Sequence, residues 1–133
     1  MILVLDTSAV IEVVLNRPRS SEIIEAISLS DAVITSDLYR AEVGNVLLKY
    51  FRAGFIDERD LYGMIGYSDN IVDTYESIEE HLSMAIEHSL KFNHSVYDML
   101  YLSIAIKHNA ILVTLDKRLG EIARLNDLDV IPG

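Results

Sequence analysis

Ile2-Leu-Val-Leu-Asp6-Thr-Ser-Ala-Val-Ile11 is the stretch whose reading decides the fold. Ile2 to Leu5 is a continuous apolar run of β-formers, the pattern of a strand buried on both faces in a parallel sheet. Asp6 ends the run. Thr7 and Ser8 are placed to cap a helix that Ala9 begins. Such a strand delivers its terminal carboxylate to the carboxyl edge of the sheet, where open α/β sheets bind ligands. The rest of the chain is read for carboxylates that reach the same edge.

Alternation of short apolar runs with helical periodicity continues to the end. A helix follows to Leu15 and breaks at Asn16, Arg17 and Pro18. A second, capped by Ser20 or Ser21, carries Ile23, Ile24 and Ile27 at helical spacing. Ala32 to Ile34 reads as a strand. Asp37 is placed to cap a helix from Leu38 to Ala53, closed by Gly54. Asp57 caps another, reaching Ser68–Asn70. Ile71 and Val72 read as a third strand. Helices over Ile78–Phe92 and Val96–His108 follow, the second apolar all round and so buried. Ala110–Leu115 reads as a strand, Leu119–Leu125 as a helix, and Val130 with Ile131 as a last strand. This order implies an α/β three-layer sandwich with a parallel sheet of about five short strands flanked by helices. No repeat, linker or low-complexity tract divides the 133 residues, so residues 1–133 read as one domain.

With 50% hydrophobic and 24% charged residues the chain is globular rather than disordered. It has no cysteine, which excludes disulfide and thiol chemistry. No segment approaches the ~20 apolar residues of a membrane span. No basic region precedes the first apolar run, so that run is a strand and not a signal peptide, and a cytoplasmic location is expected. The net charge of −10 has the wrong sign for gripping nucleic acid by a basic stripe. It suits a cation-binding protein or one with a basic partner.

Four acids are expected at one edge. Asp6 and Asp116 follow strands. Asp98 lies in the first turn of its helix, and Glu42 in the second turn of its own. A helix in a βαβ unit starts at the edge where a strand ends. Asp6 and Asp116 also read as helix N-caps, and Ser95 to Asp98 as a capping box. Glu42 lies between Leu38, Tyr39, Asn45 and Val46 on a mostly buried helix side, where it must be paired with a base or hold a metal. Clustered carboxylates repel until a cation neutralises them, and hard oxygen donors select Mg²⁺ or Mn²⁺. Such an ion polarises a phosphoryl oxygen. The chemistry implied is metal-assisted phosphoester hydrolysis.

Leu5-Asp-Thr-Ser8, Glu42-Val-Gly-Asn45, Tyr97-Asp-Met-Leu-Tyr101 with the Leu-Ser-Ile-Ala that follows, and Leu112-Val-Thr-Leu-Asp116-Lys-Arg-Leu resemble, in order and spacing, the four motifs of the PIN domain. Among PIN proteins the chain is most similar to the toxin subunits of VapBC-type toxin–antitoxin pairs. The resemblance implies a Mg²⁺-dependent endoribonuclease, a homodimer, an RNA substrate and a cognate antitoxin. It makes Asp6, Glu42, Asp98 and Asp116 the metal-holding catalytic quartet, with Thr7, Ser8, Asn45 and Thr114 as supporting polar residues. Leu115 stands where the family often has a small residue.

Arg17, Arg19, Lys117 and Arg118 are candidate phosphate contacts, with solvated charge as the alternative. His81, His88, His94 and His108 lack zinc spacing and read as surface or cap histidines; substrate contact by His94 is the weaker reading. Tyr97 and Tyr101 read as core or dimer residues. An Asp-based phosphatase of the haloacid dehalogenase type would need a second Asp where Ser8 stands. A receiver domain would need paired acids that are not visible. A non-catalytic PIN-like module binding RNA or a partner remains the alternative to a nuclease.

Overall fold

A computed structural model describes residues 1–133. Five strands, β1 (Ile2–Leu5), β2 (Ala32–Ser36), β3 (Thr74–Glu76), β4 (Ile111–Val113) and β5 (Val130–Ile131), form one sheet in the order β3-β2-β1-β4-β5. Every pairing is parallel, with Val4 opposite both Ile34 and Leu112. Seven helices connect them: α1 (Thr7–Val14), α2 (Ser20–Leu29), α3 (Leu38–Arg52), α4 (Glu58–Asn70), α5 (Ile78–Phe92), α6 (Val96–His108) and α7 (Lys117–Leu125).

The strand order explains the layers. From β1 the chain moves outward through β2 to β3, then returns past β1 to β4 and β5. Right-handed crossovers in opposite directions place their helices on opposite faces of the sheet. Accordingly α1 to α4 pack with one another, and α5 to α7 with one another. Residues Leu3 to Leu5 are fully buried, as a central strand covered on both faces must be. Helix α6 is buried without interruption from Met99 to Ala105 and packs on β1, β2 and β4. No helix is long and apolar enough to cross a membrane.

Several boundaries differ from the sequence reading, each for a local reason. The expected strand at Ile71 and Val72 is the end of α4. Their N–H groups turn back to Tyr67 O and Asp69 O, and the strand is the more polar Thr74–Glu76. Asp73 makes the transition, donating its N–H to Val33 O while its side chain accepts from Val33 N–H at 2.7 Å. Asp37 does not cap α3. Its backbone is helical and its carboxylate unused, and Ser36 Oγ takes the Leu38 N–H at 3.2 Å instead. Neither Ser20 nor Ser21 caps α2. Arg19 occupies the N-cap position without a side-chain cap bond, and its N–H reaches Glu12 Oε2 at 2.9 Å. Helices α1 and α7 begin before Ala9 and Leu119 because Asp6 and Asp116 are their N-caps, as one reading of these acids has it, while Thr7 and Ser8 do not cap α1. Gly54 closes α3 at φ 83°, a left-handed conformation that glycine adopts without strain.

Candidate active site

Asp6 and Asp116 follow β1 and β4, which are adjacent strands at the point where the chain reverses its direction across the sheet. This is the crevice position of open α/β folds. The Asp6 N–H continues the ladder to Val113 O, so Asp6 lies beside Thr114. Thr114 Oγ1 donates to Asp6 Oδ2 and accepts the Asp116 N–H at 3.0 Å. One hydroxyl thus couples two acids that are far apart in sequence.

Asp6 is 4% exposed, and its carboxylate is heavily used. Oδ1 accepts from Ser8 Oγ at 2.7 Å and from Ala9 N–H at 3.0 Å. Ser8 Oγ also receives the Leu115 N–H at 2.9 Å, clamping the start of α1 to the loop after β4. Burial nonetheless pushes the Asp6 carboxyl up to about 7, with the charge of Asp98 adding, against the lowering effect of those hydrogen bonds.

Glu42 is half-buried on α3. Its Oε1 accepts from Thr7 Oγ1 at 2.9 Å and from Tyr101 OH at 2.6 Å. The Tyr101 and Thr7 hydroxyls are themselves 3.0 Å apart. Of the two expectations for Glu42, pairing with a base is not met, because neutral hydroxyls hold it. Asp98 sits in the first turn of α6, its N–H on Ser95 Oγ at 3.2 Å. Its Oδ2 meets His94 Nε2 at 2.7 Å. Burial raises its pKa, and the charges of Asp116 and Glu42 add to that against His94. Asp116 Oδ1 accepts the Leu119 N–H at 2.9 Å. The capping and functional readings of Asp6 and Asp116 are therefore compatible. Each acid starts a helix, and Asp116 does so with one oxygen only.

The donor set suits a divalent cation. His94, Asp98 and Asp116 can each turn a ligand atom to within 4.8 Å of the others. Asp6 and Glu42 lie outside that tight group but act on it electrostatically. Asp98 Oδ1, Asp116 Oδ2 and Glu42 Oε2 have no hydrogen-bond partner within the chain. Two acids with raised pKa values beside three uncommitted carboxylate oxygens form a site whose anionic state needs positive charge.

The supporting residues divide. Thr7, Ser8 and Thr114 bond to the acids as described, while Asn45 is exposed and bonded to none of them. Of the candidate cations, Arg17 faces away, bonded to Tyr50 OH. Arg118 is taken up by Glu121 and Phe92 O, both at 3.4 Å. Arg19 and Lys117 line a cleft that includes Thr114 and Asp116.

Two reactive groups escaped the sequence reading. His94, expected first as a surface or cap histidine and only second as a substrate contact, instead bonds Asp98, four residues on at the entry to α6. Tyr101 is 1% exposed, as a core residue should be, but its hydroxyl serves Glu42, whereas Tyr97 is 61% exposed and leaves the core altogether. His81 is likewise no surface residue. It is buried, with Nε2 2.7 Å from Glu76 Oε1, and His108 Nε2 lies 2.5 Å from Glu76 Oε2.

A profile of the PIN domain matches residues 3–125. This chain belongs to the PIN domain family. It is 31% identical over 126 residues to Ribonuclease VapC3 of Pyrobaculum aerophilum, covering 91% of this chain and 94% of that one. Among solved structures it resembles PAE2754 from Pyrobaculum aerophilum (TM-score 0.73, 20% identity, 91% of this chain and 86% of that one). It also resembles VapBC2 from Rickettsia felis, solved bound to a DNA fragment from the promoter (TM-score 0.69, 18% identity, 98% and 97%). The five-stranded parallel sheet and seven helices are thus a PIN-domain fold, in which Asp98 lies near enough to Asp6, Glu42 and Asp116 for their charges to act on one another.

Proposed function

We propose that this protein is a metal-dependent ribonuclease, the toxin half of a VapBC-type toxin–antitoxin pair, which hydrolyses RNA phosphodiester bonds at Asp6, Glu42, Asp98 and Asp116. The 31% identity to Ribonuclease VapC3 over nearly the whole chain is the observation that carries this reading. Asp98 and Asp116 are the direct holders of Mg²⁺ or Mn²⁺, with Asp6 and Glu42 completing the charge around it. When bound, the ion supplies the positive charge that polarises the phosphoryl oxygen and acidifies the attacking water.

The chain's own groups prepare the rest. Ser8, Thr114 and the Ala9 N–H fix Asp6 in one rotamer. Thr7 and Tyr101 hold Glu42 Oε1, which leaves Oε2 without a partner in the chain and available to take a proton from the attacking water. His94 holds Asp98 Oδ2, which leaves Oδ1 as the available ligand atom. In the proposed setting the protein acts in the cytoplasm as a homodimer and is silenced by an antitoxin. The acids and the net charge of −10 suit a basic inhibitor segment, with Arg paired to Asp6 and Asp98 in place of the metal.

The test is cleavage of a defined RNA with Mn²⁺, with EDTA, and with Asp98→Asn and Glu42→Gln. Cleavage should require metal and fall by about 100-fold or more in either variant, while circular dichroism stays unchanged. Wild-type rates in EDTA or in Asp98→Asn would sink the mechanism. Release of phosphate from a small phosphomonoester, without RNA cleavage, would favour the phosphatase reading.

A further inference from the structure

A cleft of about 380 Å³ opens from Thr114 and Asp116 and runs along α7. Arg19, Lys117 and Arg124 stand in its wall. The Lys117 and Arg124 side chains make no ion pair or hydrogen bond within the chain, although acidic residues outnumber basic ones 21 to 11. Arg19 is shared between Glu22 and the Gly133 carbonyl, at 3.1 and 3.2 Å. The other acid in the wall, Glu121, is engaged by Arg118 on α7. Gly120 keeps the floor low. A Cβ there would stand in ordinary contact with Val130 Cγ1 at 3.5 Å and Arg124 Nη1 at 3.7 Å, so the guanidinium lies close beside the Gly120 backbone.

None of the lining residues is aromatic. The cleft therefore has cations for phosphates and no ring on which to stack bases. It is continuous with the acid site through Asp116, so a strand whose phosphate sits at the acids has its next phosphates beside Lys117 and Arg124. Unpaired cations there also offset the repulsion that an acidic surface exerts on RNA.

We propose that Arg19, Lys117 and Arg124 form a backbone-binding subsite for single-stranded RNA, which holds phosphates next to the scissile bond without reading base identity. This deepens the ribonuclease reading and rests on it. Arg124 enters as a substrate contact, and Arg17 and Arg118 leave because neither lines the cleft; Arg19 stays at its edge, where RNA phosphate must compete with Glu22 and the Gly133 carbonyl.

The experiment measures fluorescence anisotropy of labelled oligouridylate and oligoadenylate in EDTA, where cleavage is off, across a salt series. Lys117→Ala and Arg124→Ala should each weaken both oligonucleotides several-fold at low salt. Each should also flatten the log–log salt slope by about 0.7. Arg59→Ala, on the exposed start of α4, should change neither. The proposal is overturned if the double variant binds like wild type, if the loss is confined to one oligonucleotide, or if the wild type does not bind at low salt. Cleavage of the same RNAs by the wild type with Mn²⁺ is scored separately. Cleavage with unchanged binding in the double variant removes the subsite and leaves the nuclease; weakened binding without wild-type cleavage does the reverse.

Discussion

Replacing Asp6 by Asn should stabilise the metal-free protein at alkaline pH while weakening its response to metal. Asp6 has a carboxyl pushed up from 3.8 to about 7 by burial, with the Asp98 charge adding. The folded state therefore holds that proton more tightly than the unfolded chain does. The stability it contributes is complete below about pH 4 and is lost as pH rises through about 7. Relative to its stability in acid, the metal-free fold is weakened by about 4 kcal/mol at pH 8, where the buried group is an anion, and by about 1.7 kcal/mol at pH 5, where it keeps a proton that the unfolded chain releases. Asn escapes this titration and keeps Oδ1 for Ser8 Oγ and Ala9 N–H. Its amide turns to Thr114 Oγ1, whose own proton is then free to face Ser8 Oγ, 3.4 Å away. In EDTA, the melting temperature of Asp6→Asn relative to wild type should thus rise by about 2.5 kcal/mol equivalent between pH 5 and pH 8. For a domain of this size that is roughly 9 °C. Adding Mn²⁺ at pH 8 should raise the wild-type midpoint by linkage and raise the variant's less, because Asp98 and Asp116 still hold the ion with one charge fewer around it. Differential scanning fluorimetry at the two pH values measures all four conditions. An Asp6→Asn offset that is the same at pH 5 and pH 8 would refute the claim that the buried charge is uncompensated without metal.

Two further outcomes follow from other hydrogen bonds. Burial alone would raise the Glu76 carboxyl, but the hydrogen bonds of His81 and His108, with the charges of His108 and Lys107, hold it below the usual range. Its stabilising effect is present above the ordinary Glu pKa and lost as pH falls through the lowered one. Glu76→Gln should lower stability by about 1–3 kcal/mol at pH 7, with a smaller deficit as pH falls below 4, read by urea denaturation. Tyr101→Phe removes the donor to Glu42 Oε1 and should reduce stability by about 1 kcal/mol. It should also lower kcat more than it raises KM, because the ring stays packed while Glu42 loses its orientation. An unchanged kcat would separate Tyr101 from the site.

The strand-ending Asp6 and Asp116 were legible in the sequence because they interrupt apolar runs too short to be anything but buried strands. The long helices were legible for the same reason, since periodicity and caps such as Asp57, Ser77 and Ser95 are local signals. Once the strands and helices are placed, the βαβ rule alone brings the starts of helices and the ends of strands to one edge. Local signals failed where the backbone found a distant or competing partner. Ile71 and Val72 have β-forming side chains, but their N–H groups are spent closing α4. Asp37 has a capping side chain, yet its own N–H is bonded to Glu76 O, and Ser36 takes the cap. The same holds for the site. Sequence named four acids, but only the tertiary structure decided that Thr114 joins Asp6 to Asp116, that Tyr101 and Thr7 hold Glu42, and that His94 holds Asp98. It also separated Lys117 and Arg124, which face a cleft without partners, from Arg17 and Arg118, which are already bonded. Which oxygen or cation remains unsatisfied depends on neighbours up to 114 residues away, and no local pattern of residues encodes that.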